Sequence, residues 1–180
     1  MLILGSNSET RAKQLRNAGV EFIQKSADFD EDSVVADNPR SFVYLAAMGK
    51  MEASKKLFGL DKTILCADSL VGIDNQKLGK AYSEEEAREK LSLQSGNEVY
   101  ITSCTILYKP EITLIDLSST YYKFKEFETQ DLENYIASGD WQGKAGACMV
   151  EGFCKKYIER VDGLESTALG MSLEKVLPFV

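Results

Sequence analysis

The sequence predicts a mixed α/β fold, a mixed sheet with flanking helices, and two observations lead there. Short apolar runs that read as strands are followed by helix-start signals. Two long β-rich runs are parted only by the segment around Pro110 and read as an antiparallel pair. Strands therefore meet helices repeatedly, while the central hairpin argues against a purely parallel sheet. At roughly 150 residues per domain, 180 residues give about 1.2 domains. Residues 1–180 are thus expected to form a single domain, with neither repeat nor flexible linker.

Taken in order, Leu2 to Leu4 is a short buried strand that runs at once into Gly5-Ser6-Asn7-Ser8. Ser8 caps a helix to about Ala18, which Gly19 stops. Glu21 to Lys25 reads as a second strand, followed by an acidic loop from Asp28 to Asp32. Asn38 and Pro39, a cap and a first-turn proline, open a helix to about Leu57. Thr63 to Ala67 (TILCA) fits a strand buried on both faces that ends at Asp68-Ser69. Val71 to Leu78 turns as a hairpin at Asp74-Asn75. Ser83 and Glu86 form a capping box for a helix to about Leu93. Val99 to Tyr108 and Ile112 to Phe124 make the long pair, and Thr129 caps a helix to about Ser138. The tail from Lys144 to Val161 reads as short β-like pieces with glycines, and Ser172 caps a last helix.

Composition narrows the chemistry. A net charge of −7 disfavours nucleic acid or an anionic membrane as partner. With no histidine, imidazole bases, His-based triads and HExxH zinc sites are excluded. The four cysteines, Cys66, Cys104, Cys148 and Cys154, form no CxxC pair and sit among apolar residues, so they read as free buried thiols suited to the cytoplasm. The start, MLILGSNSETR, lacks the basic segment of a signal peptide. No apolar run approaches the ~18 residues of a membrane span.

Four stretches can carry chemistry. Ser6 and Ser8, between a strand and a helix N-terminus, form an anion site from backbone N–H groups, and Arg11 adds a fork for phosphate oxygens. An ordinary capped helix would look the same. The acidic loop and Asp68 supply carboxylates: Asp68 suits a general base, and carboxylates from separate loops suit Mg²⁺. Their bland alternatives are a solvated loop and an Asx turn. Lys50 interrupts a helix of small and apolar residues, and Lys80 follows Leu78-Gly79; either could be solvated decoration. Finally, Lys144-Ala145-Gly146-Ala147 and Glu151-Gly152-Phe153 carry glycines that would let backbone approach a ligand, or merely bend a strand pair.

Taken together and in this order, the stretches resemble the Maf family of nucleotide pyrophosphatases from end to end. LGSNSETR resembles a degenerate form of the family's opening L-A-S-x-S-P-R-R-R, and Asp28-Phe29-Asp30-Glu31 resembles its acidic loop. Phe42-Val43 through Lys50, Cys66-Ala67-Asp68-Ser69, Leu78-Gly79-Lys80-Ala81 and Gly143-Lys144-Ala145-Gly146-Ala147 through Glu151-Gly152 follow its later motifs. The resemblance implies hydrolysis of a nucleoside triphosphate to monophosphate and pyrophosphate, as house-cleaning of non-standard or modified nucleotides. It also implies Mg²⁺ or Mn²⁺, a cytoplasmic location, a possible homodimer, and an elongated fold whose two lobes flank a nucleotide cleft. By position, Asp68 would activate water, Glu31 with Asp68 would hold the metal, and Arg11, Lys50 and Lys80 would neutralise the triphosphate.

The family positions linked to base preference fall on Thr10, Ser69 and Glu151. Glu151 resembles the 7-methyl-GTP pyrophosphatases, Ser69 keeps a hydroxyl as the dTTP/UTP pyrophosphatases do, and Thr10 matches neither. A carboxylate only accepts hydrogen bonds, which suits the N1–H and N2–H₂ donors of a guanine-type base. Ala81, and Gly170-Met171-Ser172-Leu173 for the usual G-L-P-L, depart from the pattern. Together with Thr10 and the eroded arginines of the opening motif, Ala81 leaves open a non-catalytic nucleotide-binding regulator of septum formation.

Overall fold

The computed structural model describes residues 1–180, which divide into two compact units. The first comprises residues 1–69, 102–119 and 164–180; the second comprises 70–101 and 120–163. Seven strands, β1 (Leu2–Leu4), β2 (Phe22–Gln24), β3 (Thr63–Ile73), β4 (Gln76–Leu78), β5 (Glu98–Lys109), β6 (Ile112–Phe124) and β7 (Ile158–Asp162), form one mixed sheet. They hydrogen-bond in the order β2-β1-β3-β5-β6-β7, with β4 on β3. β1 runs parallel to both β2 and β3, whereas the β3–β4 and β6–β7 pairs are antiparallel. The mixed α/β architecture expected from the sequence is therefore present.

In the first unit, α1 (Glu9–Asn17) is capped by Ser8, whose Oγ accepts from the Arg11 N–H. Helix α2 (Pro39–Phe58) starts on Asn38, whose side chain accepts from Ser41 N, with Pro39 in its first turn. Such a cap contributes about 1 kcal/mol. α1 buries Ala12 and Leu15 against Leu2, Leu4, Leu65, Ala67 and Leu107, a core closed by Met171, Leu173 and Val176 from the C-terminal segment. Two short helices, α5 (Glu165–Ala168) and α6 (Leu173–Val176), shape that segment.

The second unit is organised around aromatic rings. The Tyr135 and Phe153 rings stack at 4.5 Å and 6°, and Phe127 lies 5.1 Å edge-on to Phe153 and 4.9 Å from Tyr157. Helix α3 (Glu84–Gln94) opens on Ser83, which accepts from Glu86 N, while the Glu86 carboxylate accepts from Tyr82 N. The box thus closes one residue earlier than its sequence pattern states. Helix α4 (Thr129–Ser138) takes Glu128 as its N-cap, so Thr129 is its first residue rather than its cap.

Three further expectations are corrected. The apolar strand does not end at Ala67; β3 runs through Asp68 and Ser69 to Ile73, so both are mid-strand residues. Strand geometry continues because polar side chains disturb a ladder only when they draw its backbone N–H or C=O away. From Lys144 to Tyr157 the chain is turns and a short 3₁₀ helix (Phe153–Tyr157), and only β7 is a strand. Left-handed backbone at Gly143, Gly146 and Ala147 bends this segment away from extended geometry. Ser172 stands at the start of α6 but makes no side-chain cap. All four cysteines are free and buried, as their apolar neighbours predict.

Candidate active site

The first unit brings together Ser6, Ser8, Arg11, Glu31, Lys50, Asp68 and Ser69, all singled out in the sequence. Gly5 extends β1 by donating to Leu65 O at 2.8 Å, which sets Ser6 at the end of β1 beside β3. A Cβ at Gly5 would stand 2.6 Å from Cys66 Sγ, so the close approach of the two strands requires glycine. Ser6 Oγ accepts from Ser8 N at 3.2 Å and from Arg11 Nη1 at 3.1 Å.

Arg11 is buried and its fork is used on three sides. Nε donates to Gly170 O at 2.8 Å, Nη1 to Ser6, and Nη2 to Ser69 Oγ at 3.0 Å. Burial pulls the guanidinium below its usual basicity, while Asp68 and then Glu31 pull the other way. An arginine stays charged throughout the working range. Arg11 therefore brings a fixed positive charge to Asp68 and ties β1, β3 and the C-terminal segment together.

Lys50 lies on α2 with its side chain 18% exposed. Its Nζ stands 2.6 Å from Asp68 Oδ1 and 2.7 Å from Glu31 Oε1. Asp68 is 5% exposed, whereas the Glu31 side chain is half exposed. Two carboxylates from separate elements thus converge on one cation. Glu31 begins a 3₁₀ turn (Glu31–Ser33) capped by Asp30, whose Oδ1 accepts from Asp32 N at 3.0 Å. Phe29 packs on Gly49, where a Cβ would fall 2.2 Å from its ring. Gly49 thus admits the ring that sets the acidic loop on α2, one residue before Lys50.

Within the acidic loop, then, only Glu31 has an ion pair, and Asp30 acts as a cap. Thr10 lies half-buried in the first turn of α1. The second unit holds Lys80, Lys144 and Glu151. Lys80 forms an isolated antiparallel bridge with Ala145, so the two lysine-bearing segments are neighbours. Glu151 is exposed in a turn.

Sequence reasoning missed Gly170 as the acceptor that fixes Arg11, because the contact spans 159 residues. Its one signal was a Gly-Met-Ser-Leu stretch departing from a family motif. A Cβ at Gly170 would lie 3.2 Å from Arg11 Nε, and its φ of +99° is one that other residues rarely adopt.

Glu31 and Asp68 are the two carboxylates the structure brings together. No group of three or more His, Cys, Asp or Glu side chains could hold a metal ion. Two carboxylates that converge on one point, held here by the Lys50 ammonium, are the donor set of an ion that takes its other oxygens from water and phosphate, the habit of Mg²⁺. They do not fit a closed zinc or calcium cage.

No helix is long and apolar enough to cross a membrane. A family model described as "Maf-like protein" matches residues 1–180. A Nitratiruptor sp. protein named "Nucleoside triphosphate pyrophosphatase" is 53% identical over 98% of this chain and 96% of its own length. One of the same name from Helicobacter pylori (strain Shi470) is 41% identical over 98% and 93%. Among solved structures, the Staphylococcus aureus Ham1 protein matches at 18% identity and a TM-score of 0.47, covering 68% of this chain and 71% of that one, a likeness too loose to argue from. The whole-chain family match and the 53% identity together place the chain in the Maf family.

Proposed function

We propose that this chain is a nucleoside triphosphate pyrophosphatase, hydrolysing its substrate to monophosphate and pyrophosphate in house-cleaning of non-standard or modified nucleotides. The names of its relatives support the activity. The observation that carries the mechanism is Asp68, buried, 2.6 Å from Lys50 Nζ and beside the Arg11–Ser69 contact. A carboxylate fixed in this way can take a proton from water as the water attacks the α-phosphorus. Lys50 keeps the two carboxylates from repelling each other and offers a cation to phosphate. Lys80 and Lys144 supply further positive charge to the triphosphate, with pyrophosphate as the leaving group. Ser6, Ser8 and the start of α1 supply hydroxyl and backbone donors for phosphate oxygens.

Glu31 and Asp68 would hold a divalent metal, Mg²⁺ or Mn²⁺, which would polarise phosphate oxygens and neutralise their charge. Gly49→Ala then makes a specific prediction. The added methyl displaces Phe29 and the loop that carries Glu31. Alanine is favoured over glycine in a helix by about 1 kcal/mol, which offsets part of an overpacking cost of about 1–3 kcal/mol. The melting temperature is expected to fall by at most about 8 °C, while the Mg²⁺ concentration for half-maximal activity rises several-fold in a metal titration.

For the base, Glu151 favours a guanine-type ring, whose N–H donors a carboxylate accepts. Pyrophosphate release with Mg²⁺ across dTTP, UTP, CTP, GTP, 7-methyl-GTP and ITP tests both readings. Greatest release from 7-methyl-GTP is expected; greatest release from dTTP or UTP would keep the enzyme and remove Glu151 as base reader. Nucleotide binding without release from any of the six would overturn the enzyme in favour of a non-catalytic regulator.

A further inference from the structure

Gln94, the last residue of α3, is fully buried and belongs to no part of the site described above. Its Nε2 donates to Lys90 O at 2.9 Å and to Gly146 O at 2.7 Å, whereas its Oε1 has no partner. A buried acceptor without a partner is a standing cost that an apolar side chain of the same length would avoid. The cost of the orphaned Oε1 offsets what the Nε2 bonds contribute, so net stability alone gives little reason for a glutamine here. What glutamine supplies, and methionine or leucine cannot, is the donor to Gly146 O.

Gly146 lies in the turn that follows Lys144, where Gly143, Gly146 and Ala147 have φ values of 73°, 63° and 55°. Ala147 bears a steric penalty in that region, and such a turn persists only when its surroundings over-determine it. Here they do. Gly146 N donates to Gly79 O at 3.1 Å, Tyr135 Oη donates to Ala147 O at 3.0 Å, and Gln94 holds Gly146 O. The adjoining segment is held from the same helix: Lys90 Nζ donates to Lys80 O at 2.8 Å and pairs with Glu86 at 3.4 Å.

We infer that Gln94, together with Lys90, is a positioning residue for Lys80 and Lys144. Helix α3 grips the backbone of each lysine-bearing segment, Lys90 at Lys80 O and Gln94 at Gly146 O, and the Lys80–Ala145 bridge locks the two in register. The inference rests on the proposal that these lysines bind the triphosphate. Lysine side chains are long and flexible, so their anchor points decide how often the ammonium groups occupy the right place.

A double-mutant cycle separates this role from a structural one. Gln94→Met keeps the side-chain length and removes both the donor and the orphaned acceptor. It is expected to lower kcat/KM about tenfold with little net change in the melting temperature, because orphaning Gly146 O offsets the removal of the unpaired Oε1. In a Lys144→Ala background the same substitution should change kcat/KM less than about twofold. An equal loss in both backgrounds, or no loss in the wild-type background, overturns the inference. Lys90→Met, outside the core, gives a second reading through Lys80→Ala, with the same requirement of non-additivity. Should Lys80→Ala and Lys144→Ala themselves leave kcat/KM unchanged while the wild type turns over, the assignment of the lysines fails instead.

Discussion

Asp68→Asn is expected to lower kcat for pyrophosphate release by about 10²–10⁴ while leaving the fold in place. Asparagine has nearly the same volume and can still accept from Lys50, and Lys50 keeps its second partner, Glu31, at 2.7 Å. The change therefore removes one negative charge and a proton acceptor with little rearrangement. Circular dichroism and the melting temperature should match the wild type closely. Wild-type turnover in the variant would remove Asp68 as the base.

Arg11→Met should cost stability as well as activity. The guanidinium satisfies Gly170 O and the hydroxyls of Ser6 and Ser69 from a buried position. Hydrogen bonds from charged donors contribute about 1.5–3 kcal/mol each. They do not add fully, because desolvating the charge offsets part of the gain and the two hydroxyls can turn to other partners. A net loss of about 2–4 kcal/mol follows, or about 4–16 °C at about 2–4 °C per kcal/mol for a chain of this size. Arg11→Lys should recover little of it, since an ammonium on a single stem cannot reach three acceptors in a fork. Thermal unfolding of both variants checks this. A melting temperature unchanged in Arg11→Met would show that the three contacts are not what holds the C-terminal segment.

How far the sequence foretold these features depends on how local each signal is. Ser8, Asn38 and Ser83 are readable as caps because a cap and the backbone N–H that donates to it lie within one turn. TILCA was readable as a buried strand, but its end was not, because Asp68 and Ser69 look like a turn until Lys50 and Arg11 are seen to take their side chains. Glycines in the tail suggest either close backbone approach to a ligand or bends in a strand pair, whereas positive φ at Gly143 and Gly146 produces turns. The placement of Phe29 on Gly49, of Gly170 on Arg11 and of Gln94 under Gly146 was invisible from sequence. Each joins residues far apart in the chain through one contact with no periodic signature. Lys50, Asp68 and Glu31 each stand out in the sequence as a charged residue in a telling place; that they meet at a single ammonium is a property of the fold.

In the proposed reaction, water activated at Asp68 attacks the α-phosphorus and expels pyrophosphate. Turnover in ¹⁸O-labelled water, with both products analysed by mass spectrometry, tests it directly. The label is expected in the nucleoside monophosphate, with one unlabelled pyrophosphate per turnover, and this labelling should be lost in Asp68→Asn. Label in pyrophosphate, or release of inorganic phosphate in its place, would contradict it.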